Sequence, residues 1–277
     1  MDWEFLYYLL YGFVSGLGEL LPVSPAAHGY LLEVLTRFEA TQPALLLSIH
    51  LGCFLAVCLQ YHRRVGHMYR ELKIARLPLD KRKRPVDTIA VLDAKVLSVG
   101  AVPLLLAVVF SAVAYNKLAI LPLLSLVLVL GGVVLYIPQF LPGANKDSRA
   151  LSQKDSILLG LAGAAGVIPG MSRMGTMISV GLIRGCDRSY ILDIAMLASL
   201  PVLLGLMVVD GVMLLMSGTA LTGMMLLYCA LAAAAALGGA WLAMVIMRFL
   251  SVKSNFYGFA YFNWGLGLFS FLVYLMI

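Results

Sequence analysis

Six long apolar stretches, at roughly 42–62, 95–115, 118–140, 190–216, 221–247 and 256–277, constrain this chain more than any other feature. Each is near the ~20 residues that an α-helix needs to cross a bilayer. Of the 277 residues, 62% are hydrophobic and 12% charged, against about 25% charged in soluble domains. A soluble core cannot absorb that much apolar surface, so lipid must solvate much of it. The fold class expected is an all-α polytopic membrane protein, one transmembrane domain over 1–277. The first ten residues, MDWEFLYYLL, lack the basic region and cleavage site of a signal peptide. Cys53, Cys58, Cys186 and Cys229 show no CxxC spacing and read as packing residues.

The basic residues set the orientation. They fall at 63–95, at Lys146, Arg149 and Lys154, at Arg184 and Arg188, and at Arg248 and Lys253. Putting those loops on the cytoplasmic side leaves only Arg37, Lys117 and an embedded Arg173 elsewhere. The net charge of +6 follows from this asymmetry and calls for no nucleic acid. Segments 95–115 and 118–140 then form a hairpin with its tip near Asn116–Lys117, and 190–216 and 221–247 form another. In the run Lys81-Arg82-Lys83-Arg84, a positive-inside anchor is favoured over an anionic-lipid clamp. Asp80, Asp93, His62 and His67 read as solvated.

Two further apolar segments are broken. Residues 3–35 contain Gly16, Gly18, Glu19, Pro22, Pro25 and His28; residues 156–183 contain Gly163, Gly166, Pro169, Gly170 and Arg173. The chain is cytoplasmic before and after 156–183, so that segment must enter and return on one side. About 28 residues are too few for two full crossings, which predicts a re-entrant hairpin with Pro169-Gly170 near its tip. By the same parity residues near 37–41 lie outside, and 3–35 form a second re-entrant pair entering from there. Oppositely entering hairpins are what an inverted-topology repeat produces. The repeats would cover approximately 1–115 and 155–277, linked by the 118–140 helix and a cytoplasmic loop. Broken backbone at membrane depth needs protein or a wet cavity around it, so the two tips should meet at a site. Simple kinks are the competing reading.

Ionisable residues at membrane depth are costly and functional by default. Glu19, His28 and Arg173 stand out, with Ser24 and Ser172 beside the breaks. A fixed cation, a carboxylate, a proton carrier, two hydroxyls and helix N-termini make an anion site. Phosphate is the expected anion because arginine grips it with parallel hydrogen bonds. The bland alternative is a structural Arg173–Glu19 ion pair with a satisfied core histidine at 28. Each serine is as readily a helix cap. His50 and Ser15 are site-lining candidates, and packing serves equally well for His50.

At these residues the chain resembles the bacterial undecaprenyl-diphosphatases, the bacitracin-resistance proteins. The family motif E-G-x-T-E-F-L-P-V-S-S-T-G-H corresponds to Ser15-Gly16-Leu17-Gly18-Glu19-Leu20-Leu21-Pro22-Val23-Ser24-Pro25-Ala26-Ala27-His28. The second, P-G-x-S-R-S-G-x-T, corresponds to Pro169-Gly170-Met171-Ser172-Arg173-Met174-Gly175-Thr176-Met177. His50-Leu51-Gly52 and Leu55-Ala56-Val57 resemble a third stretch. The resemblance implies a multi-pass enzyme of the bacterial plasma membrane. It would cleave the terminal phosphate from undecaprenyl diphosphate, renewing the peptidoglycan carrier lipid. It also implies interdigitated inverted repeats, a homodimer, and an active site open to the extracytoplasmic face. Glu19, His28 and Arg173 become the catalytic candidates. Ser24, Gly170, Ser172, Arg173 and Thr176 become the phosphate-binding candidates. Glu19 would be the ligand of a divalent ion, Mg2+ or Ca2+, with no organic cofactor. A lone carboxylate is a poor all-protein metal site, though Mg2+ is commonly held by one or two carboxylates and substrate phosphates.

The departures are Ser15 for a carboxylate, Pro25 for a serine, Met174 for a serine, Met177 for a threonine and Gly163 for a glutamine. Glu33 is the candidate to replace the carboxylate lost at Ser15. The expected activity is hydrolysis of polyprenyl diphosphate. The alternative is a relative that binds or translocates a lipid phosphate without cleaving it.

Overall fold

The structure is a computed structural model that describes residues 3–37, 42–143, 145–219, 221–252 and 256–276. The expected turn at 38–41 and Lys253 lie outside the described residues. Eleven α-helices follow one another among the described residues. They are α1 (Trp3–Leu20), α2 (Pro25–Thr36), α3 (Pro43–Ala75), α4 (Thr88–Val109), α5 (Ser111–Leu118), α6 (Leu121–Tyr136), α7 (Gln153–Ala164), α8 (Arg173–Ile183), α9 (Arg188–Ser217), α10 (Gly223–Val252) and α11 (Gly258–Met276). Six are long and apolar enough to cross a membrane: α3, α4, α6 with its 3-10 extension to Phe140, α9, α10 and α11. Their outward faces carry exposed Leu59, Leu106, Val109, Leu126, Val208 and Leu275, as lipid-facing helices do. The chain is an all-α polytopic membrane protein.

Among the boundaries that differ from the hydropathy reading, two have plain local reasons. The Asp87 side chain accepts the N–H groups of Ile89 and Ala90, so α4 begins at this cap within the polar stretch. His67 hydrogen-bonds Asp87 and holds its carboxyl below the usual range, which keeps the cap ionised. Helix α3 likewise runs past its apolar part to Ala75, because Arg, Lys and Glu favour helix. The run at 81–84 is partly structural. Arg82 donates to Ala75 O at 2.7 Å and Leu77 O at 2.9 Å, and Arg84 pairs with the buried Glu71. Asp93 is not solvated but 3% exposed, held by Arg64 at 3.0 Å. Arg64 and Arg248 both pair with Asp193, which also receives the Tyr61 hydroxyl. One end of the bundle thus gathers the basic segments of α3, α9 and α10.

Close helix contacts are made by small residues. α1 packs on α10 where Gly12 and Gly16 meet the backbone of Ala232 and Ala236, and Gly239 meets Phe13. α7 packs on α4 where Gly160 meets Gly100. α3 crosses α9 and α10, and α6 lies along α11. Apolar burial gains little when lipid is the alternative, so such contacts rest on tight packing. A side chain at position 16 would collide with Ala236 O and Cα. Gly16→Val is expected to cost about 1–3 kcal/mol and to lower the melting temperature in detergent. Gly238→Val, on the same α1–α10 pair but with open space around the site, should leave it nearly unchanged. Equal melting of both variants would contradict close α1–α10 packing.

Candidate functional site

Each broken segment folds as helix, break, helix. α2, α7 and α8 have 12, 12 and 11 residues, roughly 16–18 Å of rise, little over half the ~30 Å hydrocarbon thickness. Pro25 starts α2, its fixed φ suiting the first turn. Gly170 takes φ +99 at the second break, a conformation that glycine adopts without strain.

Two serines interlock the breaks. Ser24 caps α2 by accepting the N–H of Ala27 at 3.3 Å, and its Oγ also accepts the N–H of Gly170 at 3.0 Å. Ser172 caps α8 by accepting the N–H of Gly175 at 3.1 Å and donates to Leu21 O at 3.4 Å. Each cap therefore reaches the opposite break. Thr176 spends its hydroxyl on Ser172 O at 2.8 Å and Arg173 O at 3.1 Å. Ser24 and Gly170 join the breaks and Thr176 bonds within the start of α8; none of the three lines the cavity.

Beside this junction is a cavity of about 440 Å3 whose wall includes Ser15, Glu19, His50, Ser172, Arg173 and Asp210. Arg173 reaches it from the first residue of α8. Its guanidinium donates to Glu19 Oε1 at 2.8 Å, Glu19 O at 3.2 Å and Ser199 Oγ at 2.8 Å. Glu19 and Arg173 are each 10% exposed at the side chain. Three bonds occupy three of the five guanidinium N–H groups. Two N–H groups, on Nε and Nη1, are not used by these three bonds. Also lining the cavity, His50 of α3 binds Asp210 of α9, Nδ1 to Oδ2, at 2.6 Å.

His28 is not brought to this cavity. Its Nδ1 bonds Ser24 O at 2.7 Å, its ring stacks on Phe262, and it faces a separate apolar cavity of about 490 Å3 between α1, α10 and α11. Glu33 is also elsewhere, accepting the Tyr115 hydroxyl at 3.3 Å and lining a different pocket with Glu4 and Gln42. Asp210 and Ser199 are the residues that sequence reasoning missed. Asp210 carried a signal, being a carboxylate inside an apolar stretch; Ser199 carried none.

Three of the departures from the family motifs, Met174, Met177 and Gly163, are accommodated by packing. Met174 and Met177 are 1% and 2% exposed. A Cβ on Gly163 would come within 2.8 Å of Met177 Sδ, so the methionine fills the space beside the glycine. For a divalent ion, one Glu19 oxygen is taken by Arg173 and one Asp210 oxygen by His50. Among the described residues no three His, Cys, Asp or Glu side chains converge to hold a metal. These residues do not by themselves form a cage for a resident Mg2+ or Ca2+.

Residues 8–269 match the family model for the bacitracin resistance protein BacA. An undecaprenyl-diphosphatase of a Nocardioides species is 30% identical over 206 residues, 73% of each chain. One from Chromohalobacter salexigens is 30% identical over 222 residues, 79% of this chain and 80% of its own. One from Methanobrevibacter smithii is 29% identical over 214 residues, 73% and 74% of the two chains.

Proposed function

The chain belongs to the bacitracin resistance protein BacA family, and from that premise we propose that it hydrolyses a polyprenyl diphosphate to the monophosphate and phosphate. The observation that carries this reading is the buried Arg173, oriented by Glu19 and Ser199, in a cavity at the junction of two helix breaks. Phosphoryl transfer needs positioning and charge stabilisation above all. The two remaining N–H groups of Arg173 would grip the terminal phosphoryl group. Glu19 keeps the guanidinium in place and, through its second oxygen, can orient the attacking water. The polyprenyl tail would leave the cavity between its apolar wall residues, among them Leu104, Val108 and Val202. Water attacks the terminal phosphorus, the bridging P–O bond breaks, and its oxygen leaves on the polyprenyl monophosphate. Purified protein in detergent, given undecaprenyl or farnesyl diphosphate, should release phosphate well above a protein-free blank. Lipid binding without release would overturn the hydrolytic reading.

That outcome would favour the second reading, binding or translocation of a lipid phosphate without cleavage. It is supported by buried Met174 and Met177 where the family motifs carry hydroxyls, and phosphate-lipid uptake into proteoliposomes would test it.

The proposal includes an inverted repeat with two re-entrant pairs, and a homodimer in the bacterial plasma membrane. Exchanged packing supports the repeat: α1 lies on α10 as α7 lies on α4, and each cap serine reaches the other break. The cavity would open to the extracytoplasmic side. Pro43, Ser111, Tyr115 and Met213 on its wall sit at helix ends away from the Arg64–Asp193–Arg248 end. In a cysteine-free background on intact cells, Ser217→Cys should react with an impermeant maleimide and Asp80→Cys should not. The reverse pattern would invert the orientation.

A further inference from the structure

Hydrolysis leaves one role unfilled. The attacking water must lose a proton, and the histidine of the first motif, His28, faces another cavity. We propose that His50, oriented by Asp210, is the general base of this site: the group that exchanges a proton with the water and phosphate in the Arg173 cavity. The inference rests on the phosphatase reading and assigns its proton acceptor.

Three observations carry it. First, His50 and Asp210 lie inside spans α3 and α9, 13% and 7% exposed at their side chains, where ionisable groups are costly unless used. Second, both border the same cavity as Arg173 and Glu19. Third, the 2.6 Å contact is made by Nδ1. A carboxylate accepting from Nδ1–H fixes the tautomer and leaves the Nε2 lone pair as the ring's proton-accepting site. That is the orienting arrangement of a carboxylate behind a catalytic imidazole. A clamp between α3 and α9 would need no cavity; this pair has one, shared with Arg173.

The step balances. Nε2 of neutral His50 takes a proton from the water as its oxygen bonds to the terminal phosphorus. The bridging P–O bond breaks, the pair of electrons leaves with the polyprenyl monophosphate, and the imidazolium returns its proton to the released phosphate or to solvent. Asp210 stays ionised and stabilises the imidazolium; it is a positioning residue. The other titratable or charged groups on the cavity wall are Tyr11 and Glu19 of α1, Tyr115 of α5 and Arg173 of α8.

The test uses the full chain in detergent and farnesyl diphosphate from pH 5 to 9, with wild type, His50→Asn and Asp210→Asn. Asparagine can still donate to Asp210 from near the Nδ1 position but offers no basic nitrogen. His50→Asn should lower kcat about 10²-fold or more, leave KM within threefold, and abolish the fall of kcat at low pH. Asp210→Asn, whose amide can donate to Nδ1 and leave Nε2 protonated, should lower kcat by up to about 10⁴-fold with KM within threefold. His50→Asn within twofold of wild type, or a loss that leaves the pH profile unchanged, overturns the assignment while active wild type preserves the phosphatase reading. If wild type releases no phosphate, the phosphatase reading falls and the histidine is read from binding. Farnesyl monophosphate is then titrated calorimetrically in buffers of differing ionisation enthalpy. Proton uptake present in wild type and absent in His50→Asn supports proton exchange at His50; equal uptake overturns it.

Discussion

Arg173→Lys is expected to lower turnover of a polyprenyl diphosphate by about 10²–10³-fold, the range seen when one donor to a developing oxyanion is removed. Lysine keeps the charge but loses the planar fork. The arginine bonds Ser199 and Glu19 at once and has two further N–H groups; an ammonium has three donors in all. Matching the three bonds to Glu19 and Ser199 would use all of them and leave none for a phosphate. Arg173→Ala is the less informative change. It leaves the Glu19 carboxylate buried and unpaired, which costs about 3–5 kcal/mol and mixes a loss of folding with a loss of chemistry. Turnover and melting temperature measured together on Arg173→Lys separate the two. Retained turnover would remove Arg173 from the phosphate.

Ser24→Ala should be the most destabilising of the conservative hydroxyl removals. One oxygen accepts two backbone N–H groups, from Ala27 in its own helix and from Gly170 in the other break. Losing the cap costs about 1 kcal/mol, and orphaning the buried Gly170 N–H about 1–3 more. The sum of about 2–4 kcal/mol lowers the melting temperature and loosens the turn that sets the start of α8, so turnover falls as well. Ser98→Ala, which removes a bond to Ala94 O within α4, should stay within about 0.5 kcal/mol. Equal melting of the two variants would mean that the breaks are not held together by Ser24.

Much of this was legible in the sequence, for reasons that are local. Spans follow from apolar length, and the breaks from Pro22, Pro25 and Pro169-Gly170. Arg173 and Glu19 were conspicuous because charge is expensive among apolar residues. What the sequence withheld is helical phase and long-range partnership. His28 sits four residues beyond Ser24, yet the phase of α2 against α11 turns its ring onto Phe262. Asp210 meets His50 across 160 residues, and no spacing rule links them. The start of α4 was misplaced because hydropathy weighed its apolar residues and overlooked the Asp87 cap. Asp93 read as solvated because its partner, Arg64, lies on a helix that was expected to have ended.

On the proposed reading a lipid diphosphate binds between the two breaks, against Arg173. A structure of the protein with a farnesyl diphosphonate, which resists hydrolysis, tests it most directly. The terminal phosphonate is expected within hydrogen-bond reach of the Arg173 guanidinium and facing His50, with the farnesyl chain along Leu104, Val108 and Val202. A diphosphonate seated instead in the His28–Phe262 cavity, with Arg173 still bound only to Glu19 and Ser199, would contradict it.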